Sequence, residues 1–232
     1  MLSELARNGP PKVSGAAAAR GMLVVVSSPS GGGKGTLIQR VLSALPGLSY
    51  SVSYTTRRPR SNEANGREYF FVSVDQFEEM VRRGDFLESA NVHGYLYGTS
   101  REQVERERAA GHDIILEIDV QGGTSIRRLV ADAVTVFILP PSFAVLRQRL
   151  IARGTDSADD LERRLRGAPA EVEQYQDFQY IILNDDVDRA SAQLAAVISA
   201  ESARRERQAP KLKDVLADFA RVKSEPWGVS SV

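Results

Sequence analysis

The 232-residue chain contains no cysteine, which removes disulfides, thiolate nucleophiles and cysteine metal ligands together. It has two histidines, His93 and His112, so a transition-metal site or a histidine mechanism finds little support. Charge of one sign is also missing: 30 Lys and Arg balance 30 Asp and Glu, which argues against whole-chain attraction to nucleic acid or a membrane surface. No apolar run approaches the ~20 residues of a bilayer-spanning helix. The first twenty residues carry Glu4 and an early Pro10-Pro11 and lack a basic start followed by an apolar stretch. They read as a flexible leader rather than a signal peptide. What these absences leave is a cytoplasmic globular protein, one large core with room for small insertions.

What is present begins with "VVVSSPSGGGKGTLIQRVL", Val24 to Leu42. Leu23 to Val26 read as a buried strand, followed by a glycine-rich turn, Lys34 and an amphipathic helix with Leu37, Ile38, Val41, Leu42 and Leu45 on one face. Pro46 ends it. A glycine loop can turn backbone N–H groups toward an anion, and the helix N-terminus adds its positive end. The strict nucleotide-loop pattern is not met: Ser28 stands at the first glycine, Gly35 stands where a Mg²⁺-binding hydroxyl belongs, and Thr36 comes one residue later. A glycine-rich turn that binds nothing is the plain alternative.

Strands and helices then alternate, as in a parallel sheet covered by helices. Strands are expected at 22–27, 50–54, 113–118, 133–139 and 180–183, and helices at about 35–45, 142–152, 157–177 and 187–206. The region from about 55 to 104 differs. It holds arginines, tyrosines, a hairpin-like "NEANGREYFFVS" and a short helix opened by the capping box Ser73-x-x-Gln76. It reads as an inserted small domain. The arginine-rich segment 142–170 reads as a helical lid, with Pro169 expected to kink its second helix or start a new one. From about Gln208 the chain reads as a tail, in which "KLKDVLADFA" could form a short helix.

"SVSYTTRRPR" places Arg57 and Arg60 after a strand. Two converging guanidinium groups suggest a second anion site; a solvated basic turn is the alternative. Tyr69 and Tyr97 fall in the same region, where each could also be packing.

Taken in order, "SSPSGGGKGTLI", "SVSYTTRRPR", "NGREYFFVS", "FLESANVHGYLYGTS", "LEIDVQGG", "RGTDSADDLERRL" and "ILNDD" resemble guanylate kinase over about 22–207. The resemblance implies an α/β fold: a five-stranded parallel P-loop sheet flanked by helices, an inserted mixed α/β domain for GMP and a helical lid. It implies a core of 21–54 and 105–207 with the lid at about 142–170, an insertion at 55–104, a leader at 1–20 and a tail at 208–232. The implied reaction is transfer of the γ-phosphoryl group of ATP to GMP. Ser28, Pro29, Ser30, Gly31, Gly32, Gly33, Lys34, Gly35 and Thr36 would hold ATP phosphates, with Asn184 near the adenine. Arg57, Arg60, Tyr69 and Tyr97 would grip the GMP phosphate, Ser53, Glu88 and Thr99 would read guanine, and Glu117 and Asp119 would face the acceptor. Asp119 has an alternative as a strand-end cap for a Gly122–Gly123 turn. Arg149, Arg153 and Arg164 would close over the ATP phosphates and, with Lys34 and Arg57, supply the catalytic charge. Arg147, Arg163 and Arg166 would lie on a solvated helix face, and His93 would be loop packing. With Gly35 offering no hydroxyl, Mg²⁺ would be held mainly by ATP and water, not by a dedicated protein site. A kinase for another monophosphate, or a binding module of the same fold without activity, are the competing readings.

Overall fold

The structure, a computed structural model, describes residues 20–60, 63–154 and 157–224. The expected leader, apart from Arg20, lies outside the described residues. In chain order the strands are β1 (Leu23–Ser27), β2 (Leu48–Ser51), β3 (Ser53–Thr55), β4 (Tyr69–Phe71), β5 (Phe86–Val92), β6 (Tyr95–Ser100), β7 (Asp113–Glu117), β8 (Val134–Leu139) and β9 (Tyr180–Leu183). The helices are α1 (Lys34–Ala44), α2 (Val74–Arg83), α3 (Arg101–Ala109), α4 (Val120–Leu129), α5 (Phe143–Arg153), α6 (Ala158–Glu173), α7 (Val187–Ser202), α8 (Arg205–Gln208) and α9 (Lys213–Ser224).

Five strands pair in the order β2-β7-β1-β8-β9, all parallel. Both faces are covered, so β1 is apolar without alternation. Successive side chains still point to opposite sides. Val24 and Val26 pack with Leu37, Ile38 and Val41 of α1 and Leu194 and Ile198 of α7, whereas Leu23 and Val25 pack with Val104 of α3 and Ile126 of α4. A second, mixed sheet runs β4-β3-β6-β5, with β3–β4 parallel and the other pairs antiparallel. The Ser73–Gln76 capping box forms in both directions at the start of α2, and Phe77 buries its ring against Phe86, centroids 4.5 Å apart.

Several expectations are corrected. The strand expected at 50–54 is two strands, β2 in the central sheet and β3 in the second, divided at Val52. "NEANGREYFFVS" is not a hairpin: Gly66 turns the chain at φ 81°, and β4 then pairs parallel to β3. The hairpin of this region is β5–β6. Helices α3 and α4 were not expected. In α3 only Val104 and Arg108 are buried, too little apolar periodicity to show in the sequence. Gly122 and Gly123 lie inside α4 rather than in a turn, and Asp119 caps that helix by accepting the Gln121 and Gly122 amides at 3.1 Å each. No new helix starts at Pro169: α6 runs through it, and residues 174–177 continue it as a 3₁₀ turn.

Residues 20–201 pack as one compact unit. From Ser202 onward the described chain holds α8, a 3₁₀ turn and α9, which realises the helix expected in "KLKDVLADFA" with Val215 and Phe219 exposed.

Gly21 is where the chain enters the sheet. Its amide donates to the Arg108 carbonyl at 2.8 Å, and its carbonyl accepts the buried Arg108 Nε at 2.9 Å. A methyl group there would lie 1.8 Å from the His112 carbonyl oxygen. Gly21→Ala is therefore expected to cost about 2–3 kcal/mol of overpacking strain in urea unfolding. Gly47→Ala, with nothing within 4 Å of the added methyl, is expected to stay within about 0.5 kcal/mol of the parent.

Candidate active site

The loop after β1 follows from its glycines. Gly31 and Gly33 take φ of 84° and 89°, a region that side chains resist, and Gly33 caps α1 without a side-chain partner for the helix amides. That leaves the first-turn N–H groups available to an anion. The loop is held from outside. Asn184 Nδ2 donates to the Gly32 carbonyl at 2.8 Å, Arg149 Nη1 to the same oxygen at 3.4 Å, and Arg149 Nη2 to the Asn184 carbonyl at 2.9 Å. A Cβ at Gly33 would meet Asn184 Nδ2 at 2.4 Å. Ser28 is buried and its Cβ lies 2.7 Å from where a methyl at Gly32 would be; a small residue suffices there in place of glycine. Next to Gly35, a Cβ would come 3.3 Å from Glu117 Oε1. Glu117 stands 3.8 Å from Lys34 Nζ and accepts the Tyr50 hydroxyl at 3.3 Å. Burial, then the Glu117 charge, drives the Tyr50 phenol far above its ordinary range.

Two cavities adjoin at this loop. One is walled by Ser28, Pro29, Gly31, Gly32, Gly33, Lys34, Gly35, Thr36, Glu117, Arg149, Arg153, Asn184 and Val187. The other brings Ser53, Arg57, Arg60, Tyr69, Glu88 and Tyr97 opposite Ser28, Ser30, Lys34, Glu117, Asp119, Arg153 and Arg164. Ser28, Lys34, Glu117 and Arg153 belong to both. Among the residues the sequence assigned to the ATP or GMP site, Thr99 is the one absent from both walls; it is fully buried behind Glu88, donating its hydroxyl to Oε1 at 2.6 Å. Arg147, Arg163 and Arg166 are exposed, the last two paired with Asp160 and Glu162 on their own helix.

Glu88 owes its position to a glycine. Gly122 of α4 has no Cβ, and one would stand 2.9 Å from Glu88 Oε2. Burial pushes the Glu88 carboxyl up to about 7; the Thr99 hydroxyl opposes this and the Asp119 charge adds to it. Arg57 is buried, with its guanidinium 5.5 Å from the Tyr69 ring centroid and 5.8 Å from that of Phe71.

Three further groups hold the site: Glu171 and Glu63 escaped the sequence reading, and His93 was read there as loop packing. Glu171 of α6 accepts the backbone N–H of Ser30 at 2.9 Å, across 141 residues. His93, at φ 52°, makes the β5–β6 turn with Gly94 at φ 90°. Its Nε2 lies 3.3 Å from Ser30 Oγ and 3.7 Å from Glu171, so it packs against the loop and joins the second sheet to it. Arg164 donates to the same Ser30 hydroxyl at 3.1 Å. Burial, then the Arg164 charge, holds the His93 imidazole below its ordinary range. Glu63 is the third, held by Arg57 and Arg60. Only the two-residue turn at His93-Gly94 left a local signal, weaker than Asn-Gly; the two carboxylates look like ordinary surface charge in sequence.

Comparison with known proteins agrees with this geometry. A family model described as guanylate kinase matches residues 20–201. The chain is 44% identical over 206 residues to a guanylate kinase of Symbiobacterium thermophilum, covering 89% of this chain and 98% of that one. It is 47% identical over 197 residues to one of Neisseria gonorrhoeae, covering 85% and 96%. The crystal structure of guanylate kinase from Anaplasma phagocytophilum superimposes with a TM-score of 0.72 at 28% identity, over 89% of this chain and 98% of that one.

The Glu88 carboxyl gives a stability test. Its folded value, about 7, exceeds the ordinary 4.5, so between those limits the folded state holds more proton than the unfolded one and stability falls as pH rises. Glu88→Gln does not titrate. Relative to the parent it is expected to gain on the order of 2–3 kcal/mol between pH 4.5 and pH 8 in urea unfolding. An equal difference at both pH values would remove Glu88 as the buried titrating group.

Proposed function

The chain belongs to the guanylate kinase family and carries its activity, that of an ATP-dependent nucleoside monophosphate kinase; on that footing we propose that the cavity over the glycine loop takes ATP and the cavity facing the second sheet takes GMP. The single observation that carries this assignment is the shared wall: Lys34 and Arg153 belong to both cavities, so a group leaving one enters the other past the same positive charges. An anionic oxygen of the GMP phosphate attacks the γ-phosphorus. The bond from that phosphorus to the bridging oxygen breaks, and ADP and GDP result. The nucleophile is already charged, so no general base is needed, and the work is alignment and charge stabilisation.

On the donor side, Ser28 to Gly33, Gly35 and Thr36 offer main-chain groups to the phosphates, Lys34 and Arg149 add charge, and Asn184 keeps the loop in shape. On the acceptor side, Arg57, Arg60, Tyr69 and Tyr97 take the GMP phosphate. Glu88, oriented by Thr99, takes the guanine N1–H and N2 amine, with Ser53 beside it. Arg153 and Arg164 lie toward the transferring group. The segment 55–104 acts as the acceptor domain and about 142–170 as the lid, closing to keep water from ATP. Mg²⁺ would come with the nucleotide: Gly35 leaves room where the Glu117 carboxylate approaches, and Glu117 and Asp119 are the carboxylates that would hold the ion there. When bound, the ion neutralises and orients the phosphate oxygens.

A coupled assay of the purified protein with ATP and each of GMP, AMP and UMP tests the reading; turnover with GMP alone is expected. Lys34→Met is expected to lower turnover by at least ~100-fold, as loss of a charge on the transferring group does, with the circular dichroism spectrum intact. Parent-level turnover would place the donor elsewhere. For Glu88→Gln, which offers guanine one acceptor and one mismatched donor, kcat/KM for GMP is expected to drop by ~100-fold or more, with KM for ATP unchanged and the preference for GMP over AMP reduced. Retention of both efficiency and preference would mean that another group reads the base.

A further inference from the structure

We propose that Glu63, which touches neither cavity, is the positioning residue that presents Arg57 and Arg60 to the acceptor phosphate; the proposal rests on the acceptor reading above. The two arginines line the acceptor cavity, but Glu63 is not part of its wall. Its side chain is 8% exposed and stands behind them. Arg57 Nη2 donates to both Glu63 oxygens at 2.8 Å. The Arg60 amide donates to Oε2 at 2.8 Å, Arg60 Nη1 lies 3.5 Å from Oε1, and the Glu63 amide donates back to the Arg60 carbonyl at 3.1 Å. One carboxylate thus holds a guanidinium, a second guanidinium and the Arg60 amide.

The rest of Arg57 is fixed as well. Its Nη1 donates to the Arg58 carbonyl at 2.7 Å, its own amide donates to Thr55 Oγ1 at 3.1 Å, and its plane lies near the Tyr69 and Phe71 rings. Burial pushes the Glu63 carboxyl up, but the Arg60 amide and the Arg57 guanidinium outweigh it and hold the carboxyl below its ordinary range.

Two roles for such a group predict opposite signs. If Glu63 only balances charge, removing it makes the pocket more positive and a dianionic phosphate binds more tightly. If it positions the guanidinium groups, removing it frees two long side chains that must be reordered when the phosphate arrives, and binding weakens. The number and directness of its contacts favour the second.

The experiment compares the full-length parent with Glu63→Gln and Glu63→Asp. Calorimetric titration with GMP and with guanosine, which has the base and no phosphate, is paired with steady-state KM and kcat. Glu63→Gln keeps the shape but turns an NH₂ toward a guanidinium. Its GMP affinity is expected to fall roughly 10- to 100-fold, while guanosine affinity and KM for ATP change less than about twofold. Glu63→Asp keeps the charge with a shorter reach and is expected to recover part of the loss; if Glu63→Gln does not fold, a GMP-specific loss of about threefold or more in Glu63→Asp carries the test. Unchanged or tighter GMP binding in the variant that folds would overturn the positioning role. An equal loss for GMP and guanosine would overturn it too, marking a structural defect. Equal binding of GMP and guanosine by the parent itself would instead fail the acceptor-phosphate reading.

Discussion

Lys34, Arg57, Arg60, Arg149, Arg153 and Arg164 wall two adjoining cavities, and like charges so gathered repel. At ~4 Å and an effective dielectric constant of about 20, one such pair costs about 4 kcal/mol. A cleft lined this way holds together only if that repulsion is offset. Its answer is to give cations an oxygen partner set to one side: Glu117 for Lys34, Glu63 for Arg57 and Arg60, the Gly32 and Asn184 carbonyls for Arg149, the Ser30 hydroxyl for Arg164. Even the Ser30 amide has a carboxylate, Glu171. The carboxylates limit the repulsion and fix where the donors sit.

The sheet makes this arrangement possible. In a parallel sheet all strands point one way, and the loops at their carboxyl ends meet along one edge. Ser28, Ile118 and Asn184, one residue past β1, β7 and β9, accordingly come together around the loop and its cavities. The chain leaves this sheet after β2 to build the second one, whose β3, β5 and β6 carry Ser53, Glu88 and Tyr97 to the far wall. Where the layers approach closely, glycine sets the limit: Gly122 beside Glu88, Gly98 beneath the Phe86 ring, Gly33 beside Asn184.

The central sheet was legible because its strands are short apolar runs between turn signals, and β9 falls where the sequence put it, at 180–183. The glycine loop was legible as well, since its residues are contiguous and their order carries the chemistry. The division at Val52 was not, because Ser51, Val52 and Ser53 read as one alternating strand and only tertiary pairing assigns Ser51 to β7 and Ser53 to β4. Helix α4 was hidden by its two glycines, which weaken helix propensity in isolation and are needed where Glu88 and Phe178 crowd the helix. Glu63 and Glu171 were hidden for two other reasons: Glu171 meets Ser30 across 141 residues, and Glu63, though six and three residues from Arg57 and Arg60, needs the chain to fold back before one carboxylate can meet both.

The span of the contacts around the glycine loop has a consequence for folding. Ser30 meets Glu171 across 141 residues, Gly32 meets Asn184 across 152, and Arg164 meets Ser30 across 134. Beyond the Gly32 amide to the Pro29 carbonyl at 2.9 Å, the loop is held by distant partners, and its full shape needs β1, α6 and the segment after β9 docked. Non-local closure of this kind makes folding slow. It also means that a ligand of the loop binds the folded chain and nothing earlier. By mass action a nucleotide at a hundred times its dissociation constant then adds about 2.7 kcal/mol to the stability of the whole unit. That is enough to mask a destabilising change far from the cleft as long as nucleotide is plentiful, and to expose it when nucleotide runs short.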